Sequence, residues 1–207
     1  MSLIAKEGGG TPLPLIPAEL HQAVCYGLYD LGSHHDEKFD KTTHQCVILW
    51  EIPGVRLDIE KDGEKLNVPR IMSKKYTLSL GERANLRKDL KAWRGRDFTP
   101  EELLSFDLKK LLGVNCMIQV VHNSKDGKTY SNIGALIPLI KGFPPKKPET
   151  EIQFFSMGES LEIPAYTPKW IKEIIESSNE YKGVQEQFGD DNPPVDDVPP
   201  YDSDVPF

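Results

Sequence analysis

The feature that most constrains the fold is a series of short β-prone segments interrupted once by a segment of helical period. Apolar, β-branched and aromatic residues dominate the runs at 20–31, 45–52, 56–60, 65–68, 74–80, 115–122 and 129–140. Asp62-Gly63 and Asp126-Gly127 are typical of tight hairpin turns. Residues 82–94 instead place Leu86, Leu90 and Trp93 on one helical face. The order predicts a mainly β fold with a helical insert before the last hairpin.

Roughly five short strands with a helix before the last two are expected of a small closed barrel of the oligonucleotide-binding type (OB fold). We therefore predict a five-stranded OB-type barrel, in which Gly27 kinks the first strand at a barrel corner. A β-sandwich and an SH3-like barrel remain open on this pattern. Thr99-Pro100-Glu101-Glu102 predicts a second helix that starts after Thr99, runs to about residue 104 and resumes as far as 112.

The chain divides into four parts by composition. We predict a flexible N-terminal arm at 1–17, the barrel at 18–141, and a linker at 142–182 with a short strand (152–155) and a short helix (168–177). Residues 183–207 contain seven acids, five prolines and no Lys or Arg. Such a segment cannot bury enough apolar surface to offset its ordering entropy, and it is predicted to be a disordered acidic tail.

Charge is segregated along the chain. The formal net charge is −7, from 25 Lys and Arg against 32 Asp and Glu. Removing the seven acids of residues 183–207 leaves 25 against 25, so the body is neutral and the excess negative charge lies on the tail. The acidic composition therefore does not argue against a nucleic-acid partner.

The cysteines and the hydropathy pattern favour a cytoplasmic protein. The chain has three cysteines, Cys25, Cys46 and Cys116, and their odd number and wide spacing do not suggest a disulfide framework. No apolar run approaches the ~20 residues that a membrane-spanning helix needs. The first 17 residues contain no signal-peptide core. We expect neither export nor membrane association.

Few motifs point to catalysis. Gly8-Gly9-Gly10 lacks the lysine and the strand context of a phosphate loop, and there is no Cys-x-x-Cys pair. His34, His35 and the pair His44 and Cys46 could ligate a metal, but their spacing only weakly suggests zinc. We therefore expect no catalytic residues, no cofactor and no metal.

Cations close to aromatic residues suggest a nucleic-acid interface. Proteins that bind single strands need cations along the phosphates and flat rings on which bases stack. Trp50 and Tyr76 alternate with apolar residues and Trp93 lies on the apolar helix face, so a core role remains open for them. The helical cations of 83–96 also remain open as a solvated face. The candidate contacts are Arg56, Lys74, Lys75, Arg83, Arg87 and Lys128, with the rings of Tyr29, Trp50, Tyr76 and Tyr130.

The C-terminal tip has a specific pattern. Asp202, Asp204, Pro206 and Phe207 end the chain after further acids at 196 and 197. This resembles the C-terminal tip of bacterial single-stranded DNA-binding proteins, whose acidic tail ends in Pro-Phe and docks replication and repair partners. The resemblance implies that these four residues bind partner proteins.

The body carries a second, independent resemblance. It rests on Tyr29-Asp-Leu-Gly32, Trp50-Glu-Ile-Pro53, Tyr76-Thr-Leu-Ser-Leu80, the run from Asn85 to Gly95, and Phe106-Asp-Leu with Leu111-Leu-Gly113. These motifs resemble a group of tailed-bacteriophage proteins that includes single-stranded DNA-binding proteins with an OB barrel. The resemblance implies a role in phage DNA replication or recombination, in the host cytoplasm.

The sequence thus leads to a main hypothesis and two alternatives. The main one is a non-enzymatic protein that binds single-stranded DNA without sequence preference and recruits partners through its tail. The first alternative is a phage protein-interaction or virion accessory module whose barrel binds no nucleic acid. An enzyme, such as a nuclease accessory, is the second. A homodimer remains open.

Overall fold

The computed structural model describes residues 13–61 and 63–188. Its centre is one six-stranded sheet in the order β3-β2-β1-β4-β5, with β6 added beside β1. The strands are β1 (Leu20–Asp36), β2 (Lys41–Lys61), β3 (Glu64–Thr77), β4 (Asn115–Lys125), β5 (Lys128–Pro138) and β6 (Gln153–Phe155). The fold is therefore mainly β.

Helical segments occupy two parts of the chain. Between β3 and β4 lie α1 (Asn85–Arg94), α2 (Pro100–Leu104) and a 3₁₀ turn (Leu108–Leu111), and α3 (Lys169–Glu176) and α4 (Asn179–Phe188) follow β6. The predicted helical insert is confirmed, and α2 begins after the predicted Thr99 with a capping box. The Thr99 side chain accepts a hydrogen bond from the Glu102 backbone N–H, and the Glu102 carboxylate accepts one from the Thr99 N–H.

The sheet is not closed into a barrel. β1 pairs antiparallel with β2 and β4, β2 with β3, and β4 with β5, whereas β6 pairs parallel with β1. Among the described strands, β3 and β5 therefore have one neighbour each, and their other edges are open. The predicted closed barrel differs from this arrangement because no ladder of hydrogen bonds joins β3 to β5.

The strands are longer than the sequence predicts. The predicted runs at 45–52 and 56–60 are separated by Pro53-Gly54, but β2 continues through these residues. A register shift between Ile52 and Arg56 absorbs the intervening residues. Since a bulge accommodates residues that cannot join the ladder, the predicted runs at 45–52 and 56–60 form one strand. At the other end of β2, both β1 and β2 extend beyond the predicted runs 20–31 and 45–52 and leave only residues 37–40 as the connection.

Both faces of the central parts of β1 and β2 are buried, each in its own core. The first core lies under α1 and contains Cys25, Ile48, Trp50, Leu90 and Trp93, among others. The second core, on the opposite face, joins these two strands to β6 and α3. It contains Tyr26, Tyr29, Leu31, Val47, Leu49, Phe155, Ile171 and Ile175. The continuous apolar run of β1 thus indicates a strand buried on both sides rather than a half-exposed one.

The segment predicted as a linker belongs to the body. Its expected strand and helix are confirmed as β6 and α3, which pack on β1. The carboxylate of Glu51, whose side chain is fully buried, accepts hydrogen bonds from the backbone N–H groups of Glu149 and Thr150 at 2.9–3.1 Å. Residues 142–182 are therefore attached to the sheet, on the face that carries the second core, and do not form a free linker.

The predicted terminal segments are corrected where the structure describes them. Ile16, placed in the flexible arm by the sequence, is 2% exposed and belongs to the first core. Its backbone N–H donates to Ser131 Oγ at 3.0 Å. At the other end, α4 continues to Phe188, so residues 183–188 are helical and not part of a disordered tail.

Residues 1–12 of the predicted arm and residues 189–207 of the predicted tail lie outside the described part of the chain. The partner-binding candidates of the tail are among them: Asp202, Asp204, Pro206 and Phe207. Within the described part of the chain, no helix is both long enough and apolar enough to cross a membrane.

Candidate nucleic-acid interface

A groove of about 750 Å³ lies between the open edges of β3 and β5. Residues 70–74 of β3 form one wall, residues 128–133 of β5 form the other, and residues 13–16 complete the lining. The charged residues among those lining it are Arg70, Lys74 and Lys128. We call this cavity the β3–β5 groove.

Local structure explains how two predicted contacts, Lys128 and Tyr130, reach this groove. Asp126 and Gly127 have φ values of 51° and 75°, as a two-residue hairpin turn of the primed type requires. Lys128 is the first residue after this turn and is exposed. Tyr130 lies two residues further on the same strand face and is 49% exposed. The turn thus sets a cation beside an accessible ring.

Lys74 also lines the groove, but it already has a partner. Its Nζ lies 2.6 Å from Asp89 Oδ2 of α1. The hydroxyl of Tyr76 donates to the same carboxylate oxygen at 2.8 Å, and Lys74 Nζ lies 5.5 Å from the Tyr76 ring centroid. Burial, followed by the charge of Asp89, raises the pKa of the Tyr76 hydroxyl well above its usual value. This cluster anchors β3 to α1, and Lys74 is only partly available to a ligand.

Three of the predicted rings are buried and are corrected here. Tyr29 and Trp50 are 0% exposed and Tyr76 is 3% exposed, so none of them presents a face on which a base could stack. Tyr29 donates from its hydroxyl to Gln153 Oε1 at 2.6 Å. The ring centroids of Trp50 and Trp93 lie 5.7 Å apart in the first core. The physical reason is the covering of both sheet faces, which leaves Tyr130 as the accessible ring of the predicted set.

Lys75 lies on the strand face opposite to Lys74, because neighbouring residues of a strand alternate between faces. It does not line the groove but a second cavity of about 720 Å³, together with Arg83 and Lys41. We call this the outer cavity. The predicted cations Lys75 and Arg83 are therefore brought together, but apart from Lys74 and Lys128.

Arg56 does not join either cavity. Its guanidinium donates to Asn67 Oδ1 at 2.7 Å and to Glu149 Oε1 at 2.5 Å. The hydrogen bond to Glu149 raises the pKa of Arg56 above its usual value, and the same bond lowers the pKa of the Glu149 carboxyl. Arg56 therefore joins β2, β3 and the segment after Lys146 instead of facing the groove.

The cations of the helical insert mostly pair within the insert. Arg87 Nη2 lies 3.8 Å from Asp97 and Lys91 Nζ lies 2.6 Å from it. Arg94 and Arg96 both pair with Glu102. Hydrogen bonds from Arg96, the backbone N–H of Thr99 and Arg94 lower the pKa of Glu102 to about 2. Arg87, a predicted contact, is therefore engaged already, and this stripe is largely neutralised.

Sequence reasoning missed several residues of the groove. Arg70 and Ile71 lie in the stretch between the predicted strands 65–68 and 74–80, which was assigned to no element. Three apolar residues that line the groove are exposed: Ile71 by 45%, Leu13 by 64% and Leu15 by 42%. The signal available was alternation through residues 68–77, which the Pro69 interruption obscures in the sequence.

The histidines have polar partners rather than a metal arrangement. His44 Nε2 lies 2.7 Å from Asp30 Oδ1, and its Nδ1 lies 3.2 Å from Ser33 Oγ and 3.5 Å from Glu180 Oε1. His34 Nε2 contacts the Leu31 carbonyl oxygen at 2.8 Å. Within residues 13–61 and 63–188, no three His, Cys, Asp or Glu side chains are grouped so that they could hold a metal ion.

Comparison with known proteins identifies no relative: no family model, no curated protein and no solved structure matches this chain.

Proposed function

We propose that the protein binds single-stranded DNA, without sequence preference, in the β3–β5 groove. The observation that carries the proposal is the juxtaposition of cations with an exposed ring in one cavity. Arg70 and Lys128 line the same groove as Tyr130, which is 49% exposed. Among the described residues, neither cation has a carboxylate within ion-pairing distance.

The chemistry of the groove suits an unpaired strand. Phosphates need mobile or unpaired cations, which Arg70 and Lys128 supply. Bases need flat or apolar surfaces, which Tyr130 and Ile71 supply. In a duplex the base faces are stacked on each other, so this second set of contacts is available only to a single strand. Neither contact reads base edges, and binding should therefore depend little on sequence.

The topology supports the same proposal. An OB fold is a five-stranded, partly open barrel that binds oligonucleotides. Here the five strands lie side by side in the order β3-β2-β1-β4-β5, and the chain passes through the helical insert between β3 and β4. We propose that the sheet is a variant of that fold, opened between β3 and β5, and that the opening is the binding groove.

The function is tested by fluorescence anisotropy with a labelled oligonucleotide at low salt. Tyr130→Ala should weaken binding roughly 5- to 150-fold, because a base stacked on an aromatic ring contributes about 1–3 kcal/mol. Lys128→Gln should weaken it and lower the dependence of log K on log salt by about 0.7, the value for one phosphate contact to a single strand. Lys88→Gln is the matched control, since Lys88 is exposed on α1 and lines neither cavity.

Two results would reject the proposal. One is the absence of binding to single strands at low salt, which is the outcome that the interaction-module alternative predicts. The other is an equal affinity for duplex DNA, since the stacking contacts would then contribute nothing.

For the acidic tip we propose recruitment of replication or recombination proteins in the host cytoplasm. Deleting residues 205–207 should leave the DNA affinity intact and abolish binding of such a partner. Loss of DNA binding in this deletion would contradict the separation of the two roles.

A further inference from the structure

The outward face of β3 is open along its second half. Ile71, Ser73, Lys75 and Thr77 alternate with inward residues, and all four are exposed. The second core, which covers the corresponding face of β1 and β2, contains no residue of β3. A row of exposed side chains therefore runs along β3 beside the covered part of the sheet.

This row connects the two cavities. Ile71 and Ser73 line the β3–β5 groove, and Lys75 and Thr77 line the outer cavity. A ligand that leaves the groove along β3 thus reaches the outer cavity without crossing another described element of the sheet.

The outer cavity is rich in available positive charge. Lys41, Lys75 and Arg83 are exposed, and in the described part of the chain no carboxylate lies within 4.0 Å of their cationic groups. Glu82 is the one acid among the residues that line the cavity. On α1 and in the residues after it, by contrast, the cations of Arg87, Lys91, Arg94 and Arg96 are paired with carboxylates.

We propose that a single strand held in the β3–β5 groove continues along the outward row of β3, and that Lys41, Lys75 and Arg83 bind its phosphates. The inference rests on the proposed function and extends the binding site to a second cavity. A polyanion fits because the row offers hydroxyl donors at Ser73 and Thr77 and leads to three unpaired cations. Lys74 and Lys75, although adjacent, would then contact different parts of the same strand.

The length of the path along β3 determines how long an oligonucleotide must be to reach both cavities. From Ile71 to Thr77 the strand advances six residues, or about 20 Å at roughly 3.3 Å per residue. A stacked nucleic-acid strand covers this distance with about six nucleotides at 3.4 Å each. An oligonucleotide of about three nucleotides, roughly 10 Å long when stacked, is shorter than the roughly 13 Å from Ile71 to Lys75 and fills only one cavity, whereas one of about 15 nucleotides spans both.

The test compares the two lengths by anisotropy with oligothymidylates of about three and about 15 nucleotides. The double variant Lys75→Gln/Arg83→Gln should bind the short probe like the wild type and the long probe about tenfold more weakly. Its salt slope for the long probe should fall by about 1.4, or 0.7 for each cation removed. Lys128→Gln should weaken both lengths, and Lys88→Gln should change neither.

An equal loss on both lengths, or no loss on the long probe, would overturn this path while leaving the groove as a binding site. Failure of the wild type to bind either length at low salt would instead overturn the proposed function, and the inference with it.

Discussion

The buried carboxylate of Glu51 should control how residues 142–182 attach to the sheet. Glu51 is 0% exposed. Glu149 N–H donates to both of its oxygens, at 2.9 and 3.1 Å, and Thr150 N–H donates to Oε2 at 2.9 Å. The perturbation is Glu51→Gln, which keeps the shape of the side chain but replaces one acceptor oxygen by an NH₂ donor.

The expected cost follows from these contacts. A hydrogen bond to a charged group contributes about 1.5–3 kcal/mol, and a buried donor left without an acceptor costs about 1–3 kcal/mol. A Gln oxygen in the Oε2 position can still accept from both backbone N–H groups, but these hydrogen bonds lose the negative charge of the acceptor, and the Gln NH₂ group then faces the Glu149 N–H that donated to Oε1. We therefore expect Glu51→Gln to lower the free energy of unfolding by about 2–4 kcal/mol, a large fraction of the ~5–15 kcal/mol typical of a domain.

Two measurements check this. Urea unfolding gives the loss of stability, and hydrogen exchange should show lower protection of the β6 amides, because β6 follows the anchored residues directly. The matched control is Glu149→Gln, which removes an exposed carboxylate paired with Arg56 but keeps the backbone N–H that Glu51 binds. Such surface pairs contribute little. Equal effects of the two substitutions, or unchanged exchange in β6, would refute the reasoning.

Two further outcomes follow from the titratable groups. Hydrogen bonds from Arg96, Thr99 and Arg94 lower the pKa of Glu102 from 4.5 to about 2. Because the pKa is lower in the folded state, the ionised carboxylate stabilises the fold above pH 4.5, and this contribution is lost as the pH falls towards 2. The stability difference between wild type and Glu102→Gln, from urea unfolding, should therefore shrink across that range, and a constant difference would contradict it. Burial raises the pKa of the Cys25 and Cys46 thiols to about 12 and that of Cys116 still further. A thiol reagent at neutral pH should therefore label all three only after unfolding, and rapid labelling of the native protein would show that the first core is open.

The sequence predicts the secondary structure well where local chemistry decides it. The helix that starts after Thr99 is confirmed because a threonine cap, a proline and two acids act within one turn. The hairpin at Asp126-Gly127 is confirmed because both residues must adopt positive φ. In both cases the deciding interactions lie within a few residues of each other.

The prediction is wrong where tertiary contacts decide. Nothing local shows that β2 passes through Pro53 by a bulge, or that Ile16 enters the core of a sheet formed far along the chain. Burial of Tyr29 likewise depends on β6, which lies more than 120 residues away and supplies its hydrogen-bond acceptor, Gln153. A single strand pattern cannot show whether its second face will be covered.

The placement of the cations shows the same limit. In the sequence, the segment between residues 83 and 96 has the highest density of Lys and Arg, and the acids within or next to it are Glu82, Asp89 and Asp97. The structure brings in Asp97 and Glu102, which lie just beyond it and pair with four of its cations. A polyanion would have to displace these carboxylates to use those four cations. Arg70, Lys128, Lys75 and Lys41, on the strands, need no such displacement, and this is why we propose that DNA binds along β3 rather than on α1.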